Sequence, residues 1–172
     1  MARQAGAGLV AIVAQEELPW KAVELLLGRA IEAETIEARI PGRLEWRSER
    51  ELWDGAHNPA GVAWLVRHLP QPRIHWTLVC SILADKDATS MLESLAPLAS
   101  TLVATSSSSS RAFPAAELAA RAEGLFELVE AIDDPAQALA RGRNLAAPDG
   151  RLLVTGSLYL LADLASIEEA VR

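Results

Sequence analysis

One cysteine, one tyrosine, two phenylalanines and three histidines are all that the 172 residues carry of those types. Each scarcity removes a class of function. The lone thiol, Cys80, has no partner for an internal disulfide, and its place in the apolar run Thr77-Leu78-Val79-Cys80 reads as a buried residue of a reduced compartment. Three widely spaced histidines without cysteine neighbours give no metal signature. Positive charge is short as well. Sixteen Lys and Arg against 23 Asp and Glu leave a net charge of -7 with no basic cluster, so no DNA or RNA partner is expected. Neither Gly-x-x-x-x-Gly-Lys-Ser/Thr nor Gly-x-Gly-x-x-Gly occurs, which leaves the chain without a phosphate-cradling loop or a dinucleotide fingerprint. No apolar run approaches the roughly 18 residues that cross a bilayer, and no membrane partner is expected. The stretch Gly8 to Ala14 behind Arg3 is short for a signal peptide and meets Gln15-Glu16-Glu17 at once, so the expected location is the cytoplasm.

What is abundant is apolar: 51% of the residues are hydrophobic, enough for the core of one domain plus an appendage. Residues 3–16 and 19–34 read as two helices, the second opening at Pro19 with Val23, Leu26, Leu27 and Ile31 on one face. Ile40-Pro41-Gly42 closes this region, and a domain boundary is expected near residue 40. From Arg43 onward, short apolar runs alternate with helical ones. Strands are expected over 44–53 as a hairpin or bent strand, then 75–80, 101–105, 126–129 and 151–155. Helices are expected over 59–69, 87–98, 114–122, 134–146 and 157–170. The fold class is therefore α/β: a Rossmann-like, mostly parallel sheet with flanking helices, preceded by two N-terminal helices.

Ligands of such sheets sit outside the carboxyl ends of the strands. Those ends read Asp54-Gly-Ala-His57-Asn58, Ser81 to Asp87, Ser106 to Arg111, Asp133-Asp134 and Thr155-Gly156-Ser157. In the first, Asn58 has the oxygen that caps a first-turn N–H and Pro59 suits the first helical position, so the turn bearing Asp54 and His57 faces the positive end of a helix. Such a turn suits phosphate or carboxylate, although a well-capped turn with His57 as a polar loop residue fits the same letters. Lys86 is either an anion ligand or a solvated neighbour of Asp85 and Asp87. Arg43 is either a ligand or the partner of Glu45 or Glu49. The five serines from 106 to 110 are expected to form a mobile, solvated connector.

Pro41-Gly42-Arg43-Leu44-Glu45, Asp54-Gly-Ala-His-Asn-Pro59, Asp85-Lys86-Asp87 and Thr155-Gly156-Ser157-Leu158-Tyr159 together resemble the C-terminal domain of folylpolyglutamate synthase and dihydrofolate synthase, of the Mur ligase superfamily. The likeness covers residues 40–165, and Gly55, where murein-building relatives carry an aromatic, is similar to the folate branch. It implies an ATP-dependent amide ligation that adds L-glutamate to a folate or dihydropteroate carboxylate. In that chemistry ATP phosphorylates the acceptor carboxylate, and the glutamate amine attacks the acyl phosphate and expels phosphate.

Carried over by position, Arg43 and Asp54 resemble the nucleotide-binding residues, His57 the histidine beside the reacting groups, and Lys86 and Ser157 the residues that receive the glutamate carboxylates. The resemblance also implies that ATP and Mg2+ belong to the intact enzyme, with neither held firmly by this chain and no metal ligand here. Residues 1–40 would be the tail of the central ATP-binding domain and 41–172 the C-terminal domain. The stretch Arg3-Gln4-Ala5-Gly6-Ala7-Gly8 keeps only the glutamine of that tail's pattern. Because the phosphate-cradling loop precedes this domain in the family, the N-terminal and central domains are expected partners, and the chain alone is not expected to turn over substrate. Two alternatives stay open: a stand-alone, non-catalytic α/β module that binds a nucleotide or a protein, and a serine hydrolase using Ser157, His57 and Asp54 without the Gly-x-Ser-x-Gly elbow.

Overall fold

The computed structural model describes residues 42–69, 75–146 and 150–170. The helices expected over 3–16 and 19–34, and the boundary near residue 40, lie outside the described residues. Along the chain run β1 (Glu45–Ser48), β2 (Glu51–Trp53), α1 (Pro59–His68), β3 (Trp76–Cys80), α2 (Ala88–Leu95), a 3-10 turn (Ala96–Leu98), β4 (Ala99–Ala104), α3 (Ala115–Ala122), β5 (Leu128–Ala131), α4 (Pro135–Leu145), β6 (Arg151–Thr155) and α5 (Leu158–Ala170).

Local chemistry sets the helix starts. Asn58 Oδ1 accepts the Gly61 N–H at 2.8 Å, with Pro59 at the first helical position of α1. Asp87 caps α2 through the Ser90 N–H, and Asp134 caps α4 through the Gln137 N–H. The single helix expected over 87–98 instead gives way to a 3-10 turn at Ala96, because Pro97 has no N–H to continue the ladder. β5 starts two residues later than expected, since Phe126 is buried in the core instead of joining the sheet.

The strands form one sheet in the order β1-β2-β6-β3-β4-β5. β1 is antiparallel to β2 and every other pairing is parallel. Alternating side chains divide the core. Leu52, Leu78, Leu102 and Leu153 point to a face covered by α1, α2 and α3, whereas Trp53, Val79, Val103, Leu152 and Val154 point to a face covered by α4 and α5. On the second face α5 buries Leu160, Leu161 and Leu164, each contributing about 1.5–3 kcal/mol.

This topology makes the crevice. The chain leaves β2, β3 and β4 toward helices on the first face, and leaves β5 and β6 toward helices on the second. β6 lies between β2 and β3, so its loop departs on the side opposite to both neighbours. A gap therefore opens on each flank of its carboxyl end, which is where open α/β sheets place ligands.

Candidate functional site

At the β2 flank, the Asp54 carboxylate fastens two stretches of chain. Its Oδ1 accepts the Ala56 N–H at 2.8 Å and its Oδ2 accepts the Leu44 N–H at 2.9 Å, while the Gly55 N–H donates to the Gly42 carbonyl at 2.7 Å. These bonds hold Leu44 at φ +42°, a left-handed conformation that a branched side chain rarely adopts. Arg43, between the two tethered residues, is exposed. It pairs with neither Glu45 nor Glu49; Glu45 is taken by Arg47 at 2.7 Å and by the Gly42 N–H, and these hold its carboxyl below the ordinary value of 4.5, the Gly42 bond contributing most.

His57 is half-buried, with Nδ1 2.8 Å from the Gly55 carbonyl oxygen. A carbonyl can only accept, so Nδ1 carries the hydrogen, and Nε2 is left as an acceptor in the neutral ring. Asp54, 4% exposed with both oxygens used by main-chain N–H groups, does not orient this histidine. A hydrolase triad of Ser157, His57 and Asp54 is thereby excluded.

At the β3 flank, Gly156 joins β6 to α5 at φ +96°. A Cβ there would lie 2.5 Å from the Ser81 carbonyl oxygen and 2.6 Å from Cys80 Sγ, so only glycine closes the crevice floor this tightly. Ser157 follows, 1% exposed, its Oγ accepting the Tyr159 N–H at 3.2 Å at the start of α5. Leu158 reaches back over Gly55 and Gly42, where an added Cβ at residue 55 would collide with it. The α5 start and the 54–57 turn are thus packed as one unit, and Gly55 has a steric reason.

Lys86 lies one loop farther along the same edge. Its Nζ is 2.9 Å from Asp85 Oδ2, and Arg111 Nη1 is 3.4 Å from the same oxygen, so two cations share one carboxylate. Lys86 and Arg111 together hold Asp85 below its ordinary value, the Lys86 hydrogen bond contributing most. The loops after β3 and β4 are zipped together by Ala84 N–H to Arg111 carbonyl and Phe113 N–H to Ile82 carbonyl. The serine run is therefore not a mobile, solvated connector. The Ser107 N–H donates to Ser81 Oγ at 3.1 Å, and Ser108 donates its N–H and its hydroxyl to the Asp163 carboxylate of α5 at 2.7 and 2.6 Å. A cavity of about 770 Å3, lined by Glu45, Arg47, Glu51, Arg143 and Glu168 among others, lies beside α4 and α5 and includes none of the five expected site residues.

A family described as "Mur ligase, glutamate ligase domain" matches residues 42–158, more than half of the chain. The chain belongs to that family. It is 38% identical over 124 residues to a folylpolyglutamate synthase of Lacticaseibacillus casei, a match covering 70% of this chain and 28% of that protein. Among solved structures, the Mycobacterium tuberculosis folylpolyglutamate synthase complexed with ADP and AMPPCP is 27% identical with a TM-score of 0.76, over 85% of this chain and 37% of that one. A bifunctional folylpolyglutamate synthase/dihydrofolate synthase with Mn, AMPPNP and L-glutamate bound shares the fold at 24% identity, with a TM-score of 0.69 over 77% of this chain and 32% of that one. The chain spans about a third of the length of these relatives.

Within this glutamate ligase domain, Arg43, Asp54, His57 and Ser157 are brought together, and Lys86 occupies the same edge on the other side of β6. Residues beyond those five also shape the site: Gly156 sets its floor, Leu44 ties the Arg43 segment to Asp54, and Ser107 with Ser108 straps the rim. Only the double serine-aspartate tether had no signal in the letters. The exposed Arg43 fits a phosphate and the Nε2 acceptor of His57 fits a polar ligand group, whereas Asp54 is spent on the backbone. No group of three His, Cys, Asp or Glu among the described residues could hold a metal ion. No helix among the described residues is long and apolar enough to cross a membrane.

Proposed function

We propose that this chain is the C-terminal domain of an ATP-dependent ligase that joins L-glutamate to a folate-type acceptor, folate or dihydropteroate, in the cytoplasm, and that its carboxyl-end rim receives the glutamate and the edge of the nucleotide. What supports this reading is the placement, on the loops at the two flanks of the β6 carboxyl end, of a serine-capped helix N-terminus, an exposed guanidinium, a histidine ring nitrogen and a lysine. Glutamate brings two carboxylates and a phosphorylated acceptor brings more negative charge. Assembling these groups needs fixed positive potential in a partly dehydrated place. The N-terminus of α5 and the Lys86 ammonium supply it for the carboxylates, and Arg43 supplies it for phosphate. Asp54 acts chiefly by holding Arg43. His57 Nε2 is the group fitted to take the proton that the attacking amine sheds.

ATP, Mg2+ and the phosphate-cradling loop belong to the preceding domains in this scheme, in line with the ADP, AMPPCP and Mn named for the related structures. The test is made on the polypeptide produced from its own gene. ADP release that requires both L-glutamate and a reduced folate or pteroate acceptor is expected; ATP binding with no glutamate-dependent ADP release would favour the non-catalytic module instead.

A further inference from the structure

Of the buried polar side chains among the described residues, Asp54, Ser81, Thr105, Ser107, Thr155 and Ser157 all lie at the carboxyl-end rim, leaving only Glu51 and Thr77 elsewhere. A buried hydroxyl without a partner costs about 1–3 kcal/mol, so such groups persist where something else needs them. Two side-chain atoms among the described residues are in that state, Ser107 Oγ and Thr155 Oγ1, and both belong to this rim. Ser107 is the better placed. It is 7% exposed, and its N–H is fixed to Ser81, whose carbonyl meets Gly156 on the crevice floor. The next residue, Ser108, is tied to Asp163 in the second turn of α5. Ser107 is thus bracketed between the floor of the β6–β3 crevice and the opening turns of a 13-residue helix whose first N–H groups have no intrahelical acceptor.

We infer that Ser107 is a further ligand-binding residue of this rim: its hydroxyl donates to a carboxylate of the incoming amino acid at the α5 N-terminus, and Asp163 is the positioning residue that holds it there through Ser108. The inference rests on the glutamate reading of the same rim and adds a contact which that reading does not contain. The hydroxyl is shielded from solvent, so a ligand reaches it by transient opening of the surface bonds from Ser108 to Asp163, which re-form to hold Ser107 against the bound carboxylate. A carboxylate gives the orphan hydroxyl the acceptor it lacks, in the form that binds most strongly.

The experiment pairs two variants, Ser107→Ala and Lys86→Met, in the polypeptide produced from its own gene. It follows the KM for L-glutamate, the KM for ATP and the thermal midpoint. Ser107→Ala is expected to raise the KM for glutamate about 5- to 10-fold, leave that for ATP unchanged, and leave the midpoint unchanged or higher, because the deleted hydroxyl had no partner to lose. A glutamate KM unaffected by Ser107→Ala but raised by Lys86→Met overturns this inference and spares the reading beneath it. A KM unaffected by both overturns both. A lowered midpoint for Ser107→Ala shows that the hydroxyl serves the fold, and overturns the inference whatever the KM.

Discussion

Asp54 illustrates how a single carboxylate at this rim does its work at one remove. Its two oxygens satisfy main-chain donors ten residues apart in the direction of Leu44 and two residues apart in the direction of Ala56. Replacement by alanine would leave two shielded N–H groups unpaired and release a leucine held at φ +42°. Asp54→Ala is expected to lower unfolding stability by about 3 kcal/mol in urea titrations, with a weaker grip on ATP following from the freed Arg43. An unaltered urea midpoint would show that the carboxylate is not structural. Cys80 makes the opposite case, a reactive side chain put out of use. Burial pushes its thiol up to about 12, and it abuts Gly156 on the crevice floor. The folded protein at pH 8 is expected not to react with a thiol reagent, and to react fully once denatured. Rapid modification of the native chain would contradict that placement.

Single elements were legible where their signals are local. Asn58, Asp87 and Asp134 announce three helices within three residues of the bonds they make, and β6 is bounded as the letters suggest because glycines flank it. What the letters could not reveal is partnership at long range. Ser108 finds Asp163 at a separation of 55 residues, which turns a low-complexity loop into a strap. Glu51 finds Arg143 at a separation of 92, through bonds of 2.7 and 2.8 Å, and also accepts the Trp53 indole N–H at 2.7 Å.

That second partnership extends through Glu168 and Arg47 to Glu45, lacing the β1–β2 hairpin to α4 and α5. Glu168 and Glu45 are both held below the ordinary carboxylate value of 4.5, the first chiefly by Arg143 and the second chiefly by the Gly42 N–H. Since their folded values lie below the unfolded one, the stability they add is complete above about pH 4.5 and is lost as the pH falls through the lowered values. Arg143→Ala is expected to cost about 2 kcal/mol at pH 7, below the usual figure for a broken buried pair because the arginine is 45% exposed. The difference from wild type should shrink below pH 4.5. A pH-independent difference would mean that the arginine acts by packing alone.

At the scale of the whole molecule, the decisive arrangement is the insertion of β6 between β2 and β3, because it places the two halves of the rim, each read separately from sequence, on either side of one strand end. Strand order is the part that periodicity does not carry, because each crossover is encoded by contacts between distant segments. The site was legible in its residues and not in its wiring. The segments that carry Arg43, His57 and Ser157 pack together through Gly42, Gly55 and Leu158, while Lys86 is coupled through Asp85 to Arg111 of the β4 loop. A charge of -7 overall makes this local run of donors and cations the more informative, since nothing in the net composition attracts an anion. The most direct measurement of the central claim is the KM for L-glutamate in Lys86→Met, taken on the polypeptide produced from its own gene beside the KM for ATP. A rise of about tenfold or more for glutamate is expected, from the loss of one charge-assisted bond, with ATP unaffected; a glutamate KM equal to that of the wild type would place Lys86 outside the glutamate site and overturn the reading of this rim.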